Sequence, residues 1–269
     1  MKLKKKIAIL GGGNIGQAFV EGLLQAGVFE PFAITITRRN VAALGNLASE
    51  KVNVTDNNIE AVKNADIILF AVQPNQIGKL VAEIKDYFNP QKHTIMSVIS
   101  TYTTDDFESA VGKDFTFIRV MPNTAMSICE SMTCLACNKP TSEKFEEAKA
   151  IFEQLGTMLV IDEKLMPAAT ILCACGIAYF LRVIRAASQG GIQVGFHANE
   201  AQLIAAQTAK GATSLLLKTG HHPEMEIDKV TTPLGCTIKG LNEMEHNGFS
   251  SAFIKGIVSS FEEIDVRKK

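Results

Sequence analysis

A short apolar run, Ile7-Ala8-Ile9-Leu10, passes directly into Gly11-Gly12-Gly13-Asn14-Ile15-Gly16. Apolar residues then recur at helical spacing at Ile15, Phe19, Val20 and Leu23. Strand, glycine turn and helix in that order is the opening of a βαβ unit, and few features limit a fold more tightly. In such a turn Gly11 permits the bend, Gly13 lets a pyrophosphate approach the backbone, and Gly16 lets the helix pack closely on the strand. Phosphate oxygens placed there meet the free N–H groups and positive dipole end of the helix. The bland alternative is an ordinary glycine-rich turn. The flanking strand and helix favour a dinucleotide site built from Gly11, Gly13, Asn14, Ile15 and Gly16.

From there strand and helix patterns alternate to about Asp162. Strands are expected at 33–37, 51–54, 66–72, 94–99, 116–120, 132–136 and 158–161, and helices at 41–49, 58–64, 76–86, 105–110 and 142–155. Continuous apolar strands such as Asp66–Val72 are those of a sheet covered on both faces. The fold class is α/β: an N-terminal Rossmann-type doubly wound, mainly parallel sheet, followed by an all-helical C-terminal domain. The boundary falls between residues 162 and 163. The C-terminal helices are expected at 164–190, 198–219, 237–246 and 250–264. Residues 165–181 carry no charge. The run is short for a membrane span and contains Pro167 and Gly176, so it reads as a helix buried against another subunit.

The chain has 269 residues, 46% of them hydrophobic, and a net charge of −1. That balance offers no electrostatic footprint for nucleic acid or an acidic membrane. Lys2, Lys4, Lys5 and Lys6 make a basic start, but the apolar stretch behind them is too short for a secretory core. A cytoplasmic location with reduced, mostly buried thiols is expected. Of the six cysteines, Cys129, Cys134 and Cys137 imitate part of an iron–sulfur spacing. On a strand, residues three apart face opposite ways, so no metal site is expected. His221-His222 beside Pro223 reads as a solvated turn.

The second strand ends in Thr37-Arg38-Arg39, and no carboxylate follows until Glu50. An NAD site places an acid there for the ribose 2′-hydroxyl. Two guanidiniums and a hydroxyl suit a 2′-phosphate, which points to NADPH, with NADH as the alternative.

Over essentially its whole length the chain resembles the Δ1-pyrroline-5-carboxylate reductase family. The matching segments are ILGGGNIGQAF, LFAVQP at 69–74, RVMPNT at 119–124, LCACGIAY at 172–179 and DKVTTPLGCTIKGL at 228–241. The resemblance implies reduction of the cyclic imine 1-pyrroline-5-carboxylate to L-proline, by hydride transfer from NADPH to the imine carbon. It implies that Asn58 contacts the adenosine side and that Ala71, Val72, Gln73 and Pro74 close over the cofactor. It implies a substrate pocket from Cys173, Ala174, Cys175, Gly176 and Cys236, and that Thr237 holds the ring nitrogen and passes it a proton through water. Read as a helix signal, Thr237 would instead cap a helix starting at Ile238, and both roles are compatible. A homodimer through the helical domain is implied, with dimers assembling into a ring. The chain departs from the family's S-G-S-G-P-A at Cys173-Ala174-Cys175-Gly176-Ile177-Ala178 and from its P-G-G-T-T at Pro233-Leu234-Gly235-Cys236-Thr237. Gln73 stands for its A-V-K-P lysine, and Ile99-Ser100-Thr101 for its A-A-G turn. These departures leave two further readings open: a related imine or ketone reductase with altered substrate, and a non-catalytic NADP-binding regulatory protein.

Overall fold

The structure, a computed structural model, describes residues 3–266, so Lys2 of the basic start lies outside it. The described residues form two compact units that meet in sequence between Cys175 and Gly176.

The first unit holds strands β1 (Ile7–Leu10), β2 (Ile34–Thr37), β3 (Asn53–Thr55), β4 (Ile67–Phe70), β5 (Thr94–Ser97), β6 (Phe117–Met121), β7 (Ser131–Cys137) and β8 (Gly156–Val160). They make one sheet in the order β3-β2-β1-β4-β5-β6-β7-β8. Neighbours are parallel except that β7 runs against β6. Helices α1 (Asn14–Ala26), α2 (Gly45–Ser49), α3 (Asn58–Asn64), α4 (Ile77–Ile84), α5 (Thr104–Val111), α6 (Glu143–Glu153) and α7 (Met166–Ala169) complete it.

Alternation along the strands sorts their side chains to two cores. Ile7, Ile9, Ile67 and Leu69 join Phe19, Leu23 and Phe152 on one face. Ala8, Leu10, Ile68 and Phe70 join Val62, Val81 and Phe107 on the other. Both faces are covered, which is why these strands read as unbroken apolar runs. Polar side chains mark the helix starts: Asn57 accepts the Glu60 N–H, Ser142 the Phe145 N–H, and Thr103 with Asp106 forms a reciprocal cap.

The strand β7 separates its cysteines as its alternation requires. Cys134 lies in a small third core with Met121, Met166 and Cys173, whereas Cys137 packs against the core on the opposite face. The thiols are less uniformly buried than expected, since Cys236 is exposed and Cys129, Cys137 and Cys175 are half-buried.

The second unit is helical: α8 (Gly176–Gln193), α9 (Ala198–Thr219), α10 (Pro223–Lys229), α11 (Cys236–His246) and α12 (Phe249–Val266). The helix expected over 164–190 is not continuous. It breaks into a short 3-10 turn, α7, a π-helical segment Thr170–Cys175 and α8. Pro167 is the second residue of α7, within the first turn, where its missing N–H costs nothing. The helix α10 was not expected at all: His222, read as part of a loop, caps it by accepting the Glu224 N–H. His221 pairs with Glu226 at 2.6 Å.

Tyr179 donates to Ser260 at 2.8 Å and ties α8 to α12. Large apolar side chains nevertheless stand exposed on this unit, among them Phe180, Leu181, Leu203, Leu217, Val230 and Ile254. Among the described residues, one helical stretch, 163–193, is long and apolar enough to cross a membrane.

Candidate active site

At the carboxyl ends of β1, β2 and β4 the backbone is laced together. Ala71 N–H donates to the Leu10 carbonyl at 2.8 Å, Gly12 N–H to the Thr37 carbonyl at 2.7 Å, and Arg38 N–H to the Thr55 carbonyl at 3.0 Å. The strand order reverses at β1, so the crevice opens where ligands settle in doubly wound sheets.

Two glycines make this turn. Gly11 has φ +120°, and a Cβ on it would sit 2.5 Å from the Ala71 carbonyl oxygen. A Cβ on Gly16 would sit 2.0 Å from the Gly11 carbonyl oxygen. Gly13 has open space where its side chain would be, and no side chain caps α1. The first N–H groups of α1 therefore face an unobstructed opening, which fits a pyrophosphate.

Arg38 and Arg39 stand on the rim, and their roles divide. Arg38 Nη1 donates to the Gly12 carbonyl at 2.9 Å, and Gln17 Nε2 donates to the same oxygen at 3.0 Å. Arg39 is exposed. Thr37, whose hydroxyl was expected to meet the phosphate, is buried at 3% exposure and serves the turn through its carbonyl. Asn58 opens α3, half-buried, with its amide 3.4 Å from Glu83. Ala71 and Val72 are half-buried, and Gln73 and Pro74 are exposed at the start of a 3-10 turn, where Gln73 N–H reaches the Gln76 side chain at 3.4 Å. The first unit thus gathers every expected cofactor residue at one end of its sheet.

The RVMPNT segment contributes residues the motif alone did not assign. Arg119 sits mid-strand in β6 at 2% exposure. Its guanidinium meets Glu163 at 3.1 Å and the Ser100 carbonyl at 2.5 Å. Glu163 also accepts from the Thr104 N–H at 2.8 Å and from the Thr104 hydroxyl. This network fixes the loop after β5. Burial pushes the Arg119 pKa down, and the Glu163 carboxylate opposes the shift. A charge inside the otherwise apolar run Phe117–Met121 was the available signal, because a buried guanidinium demands a partner.

Asn123 Nδ2 donates to the Cys173 carbonyl at 3.1 Å, while its Oδ1 accepts the Ala125 N–H. Cys173, Ala174 and Cys175 form the second half of the π-helical segment, a geometry frequent at functional sites.

The other expected substrate residues belong to the second unit. Gly176 opens α8 and is buried. The loop Thr231–Gly235 turns through a Gly235 N–H to Thr232 carbonyl bond of 2.9 Å. Leu234 there has φ +63° and is 93% exposed. The helix α11 begins at Cys236 with Gly235 as its cap. Thr237 is therefore the second helical residue, not the cap, and is half-buried.

Residues 163–265 match the family model for pyrroline-5-carboxylate reductase dimerisation, and residues 6–101 match the model for NADP oxidoreductase, coenzyme F420-dependent. The chain is 48% identical to pyrroline-5-carboxylate reductase 1 of Dictyostelium discoideum over 94% of its own length, but spans only about half, 48%, of that relative. It is 42% identical to pyrroline-5-carboxylate reductase 2 of the same organism, covering 97% of this chain and 93% of the relative. The solved structure of the Coxiella burnetii pyrroline-5-carboxylate reductase superposes with a TM-score of 0.87 at 27% identity, covering 99% of this chain and all of that one. The Plasmodium falciparum pyrroline carboxylate reductase, solved with NADP bound, shares the fold at a TM-score of 0.88 and 23% identity, covering 100% of both chains. On these grounds the chain belongs to the pyrroline-5-carboxylate reductase family.

Proposed function

We propose that this protein reduces 1-pyrroline-5-carboxylate to L-proline with NADPH. The observation that carries the reading is the open Gly11–Gly16 turn with Arg38 and Arg39 on its rim, in a chain related to named reductases almost from end to end. In this reading Gly11, Gly13, Asn14, Ile15 and Gly16 hold the pyrophosphate, and Arg38 and Arg39 take the 2′-phosphate. Asn58 lies toward the adenosine, and Ala71 to Pro74 flank the nicotinamide half. Bound there, NADPH supplies the hydride for the imine carbon. The chain's own task is to bind and orient, with Thr237 hydrogen-bonding the ring nitrogen, since a hydroxyl both donates and accepts. Cys173 to Gly176 and Cys236 border the substrate.

The exposed apolar side chains of the second unit support a homodimer through the helical residues, and the matched dimerisation model agrees with it. Assembly of dimers into a ring and a cytoplasmic location, with neither nucleic acid nor membrane as partner, complete the reading. The division of labour is a cofactor domain over 1–162 and a helical domain over 163–269.

Mixing the protein with NADPH and 1-pyrroline-5-carboxylate tests it: loss of nicotinamide absorbance with proline as product is expected. Unchanged absorbance with NADPH bound would overturn it. One observation favours a second reading, a related imine reductase with a shifted substrate. Leu234, left-handed and exposed, stands where the family pattern has glycine. Oxidation of NADPH by another cyclic imine, but not by pyrroline-5-carboxylate, would select that reading.

A further inference from the structure

Two thiols from distant parts of the sequence meet inside the first unit. Cys134 Sγ on β7 and Cys173 Sγ in the π-helical segment are 3.5 Å apart, and both residues are buried. Neither position is required to be cysteine by the fold pattern: the core around them is made of Met121, Met166, Ala136 and Ala169. In the family pattern S-G-S-G-P-A the position of Cys173 is serine.

We propose that Cys134 and Cys173 are a redox modification site, closing to an internal disulfide when the protein meets hydrogen peroxide. A disulfide needs its sulfurs about 2.05 Å apart, so an approach of about 1.5 Å is required. Side-chain rotation and the wide π turn, which is less tightly wound than an α-helix, supply it. The electrostatics agree with the geometry. The two sulfurs share a hydrogen bond that either thiol can donate; donated by Cys134, it draws the Cys173 pKa down and pushes that of Cys134 up. One sulfur is thus the nucleophile and the other the proton-bearing partner.

The steps balance. The Cys173 thiolate attacks one peroxide oxygen, the O–O bond breaks, and a sulfenic acid and hydroxide form, the hydroxide taking a proton to become water. The Cys134 sulfur then attacks the sulfenyl sulfur, its proton leaves with the hydroxyl as a second water, and the S–S bond forms. Two thiols are oxidised and one peroxide is reduced.

The crosslink would pin the π turn to β7. Asn123 already holds this turn through the Cys173 carbonyl, and Cys173 to Cys175 are the residues assigned to the substrate. The effect on turnover therefore rests on the proposed function, whereas the crosslink does not.

The test treats the full chain with hydrogen peroxide, alkylates the remaining thiols and maps peptides by mass. The expected first event is loss of two of the six thiols as a Cys134–Cys173 crosslink. Reductase activity should fall at least fivefold in step and return with dithiothreitol. Cys134→Ala should abolish the crosslink and leave a sulfenic acid on Cys173 that dimedone traps. First loss at other cysteines, or Cys173 passing to sulfinic acid while Cys134 stays free, overturns the proposal. Mapping the unaltered protein decides this even where the variant fails to fold. A crosslink in a protein without reductase activity upholds the thiol pair and refutes the functional reading. Activity without a crosslink does the reverse.

Discussion

The Arg119 guanidinium and the Glu163 carboxylate, 44 residues apart in sequence, form an ion pair of 3.1 Å within the first unit. Removing the carboxylate strands a charge that is 2% exposed. Losing one partner of a fully buried pair costs about 3–5 kcal/mol. Glu163 keeps 31% of its side chain exposed, so Glu163→Ala should cost less, about 2 kcal/mol. Urea unfolding measures this, and the double variant Arg119→Met with Glu163→Leu should recover part of the loss. An unchanged midpoint for Glu163→Ala would show that the pair adds nothing.

Gly16→Ala places a methyl group 2.0 Å from the Gly11 carbonyl oxygen. Backbone cannot yield there without opening the turn, so α1 must move away from β1. The expected result is a loss of at least about 2 kcal/mol of stability and at least tenfold weaker NADPH binding, read by thermal unfolding and titration. Normal binding would mean that the turn relaxes freely.

The two rim arginines should separate. Arg39 is exposed, and the proposed function assigns it to the 2′-phosphate, so Arg39→Ala should raise the NADPH KM about tenfold, as loss of a charge-assisted hydrogen bond does, and leave the NADH KM unchanged. Arg38 also holds the Gly12 carbonyl, so Arg38→Ala should raise both. Steady-state kinetics with each cofactor distinguishes them, and equal effects of Arg39→Ala on both would remove the 2′-phosphate assignment.

His93 gives the protein an acid sensitivity remote from the site. It is 1% exposed, accepts the Asn89 N–H at Nδ1, and its Nε2 has no hydrogen-bond partner among the described residues. Burial, with help from Lys92 and Lys144, lowers its pKa to about 4. The unfolded chain binds this proton more readily, so its protonation favours unfolding. Stability should be full above about pH 6.5 and fall as pH drops toward 4, by about 1.4 kcal/mol per unit within that window. Denaturation between pH 7 and 4 should show a shallower slope in His93→Gln; an identical slope would exclude His93 as its source.

Thr237→Ala tests the substrate assignment without a capping complication, since Gly235 is the cap of α11. Stability should change by less than about 0.5 kcal/mol. The expected result is at least a tenfold fall in kcat/KM with NADPH affinity kept, and rescue by Thr237→Ser. Unchanged kinetics would leave Thr237 an ordinary residue of the first helical turn.

Local patterns fixed in the chain decided much of this protein. The strand, glycine turn and helix at 7–26 follow from the spacing of apolar residues and from glycines that a Cβ would obstruct. The helices at 58–64 and 198–219 have the bounds their periodicity implies, and the alternation of β7 sends Cys134 and Cys137 to different cores. The break at Thr170–Cys175 was not legible, because an uncharged run has helical propensity throughout and nothing local marks an extra residue per turn. The helix α10 was hidden by His221-His222-Pro223, a turn signal that here is a helix start.

Only the tertiary structure brought Arg119 to Glu163, joined Arg38 to the Gly12 carbonyl, buried Thr37 and set Cys134 against Cys173. Periodicity reports which face of an element is apolar, and so determines elements and their order. Partners many residues apart are chosen by sheet order and packing, which no local pattern encodes.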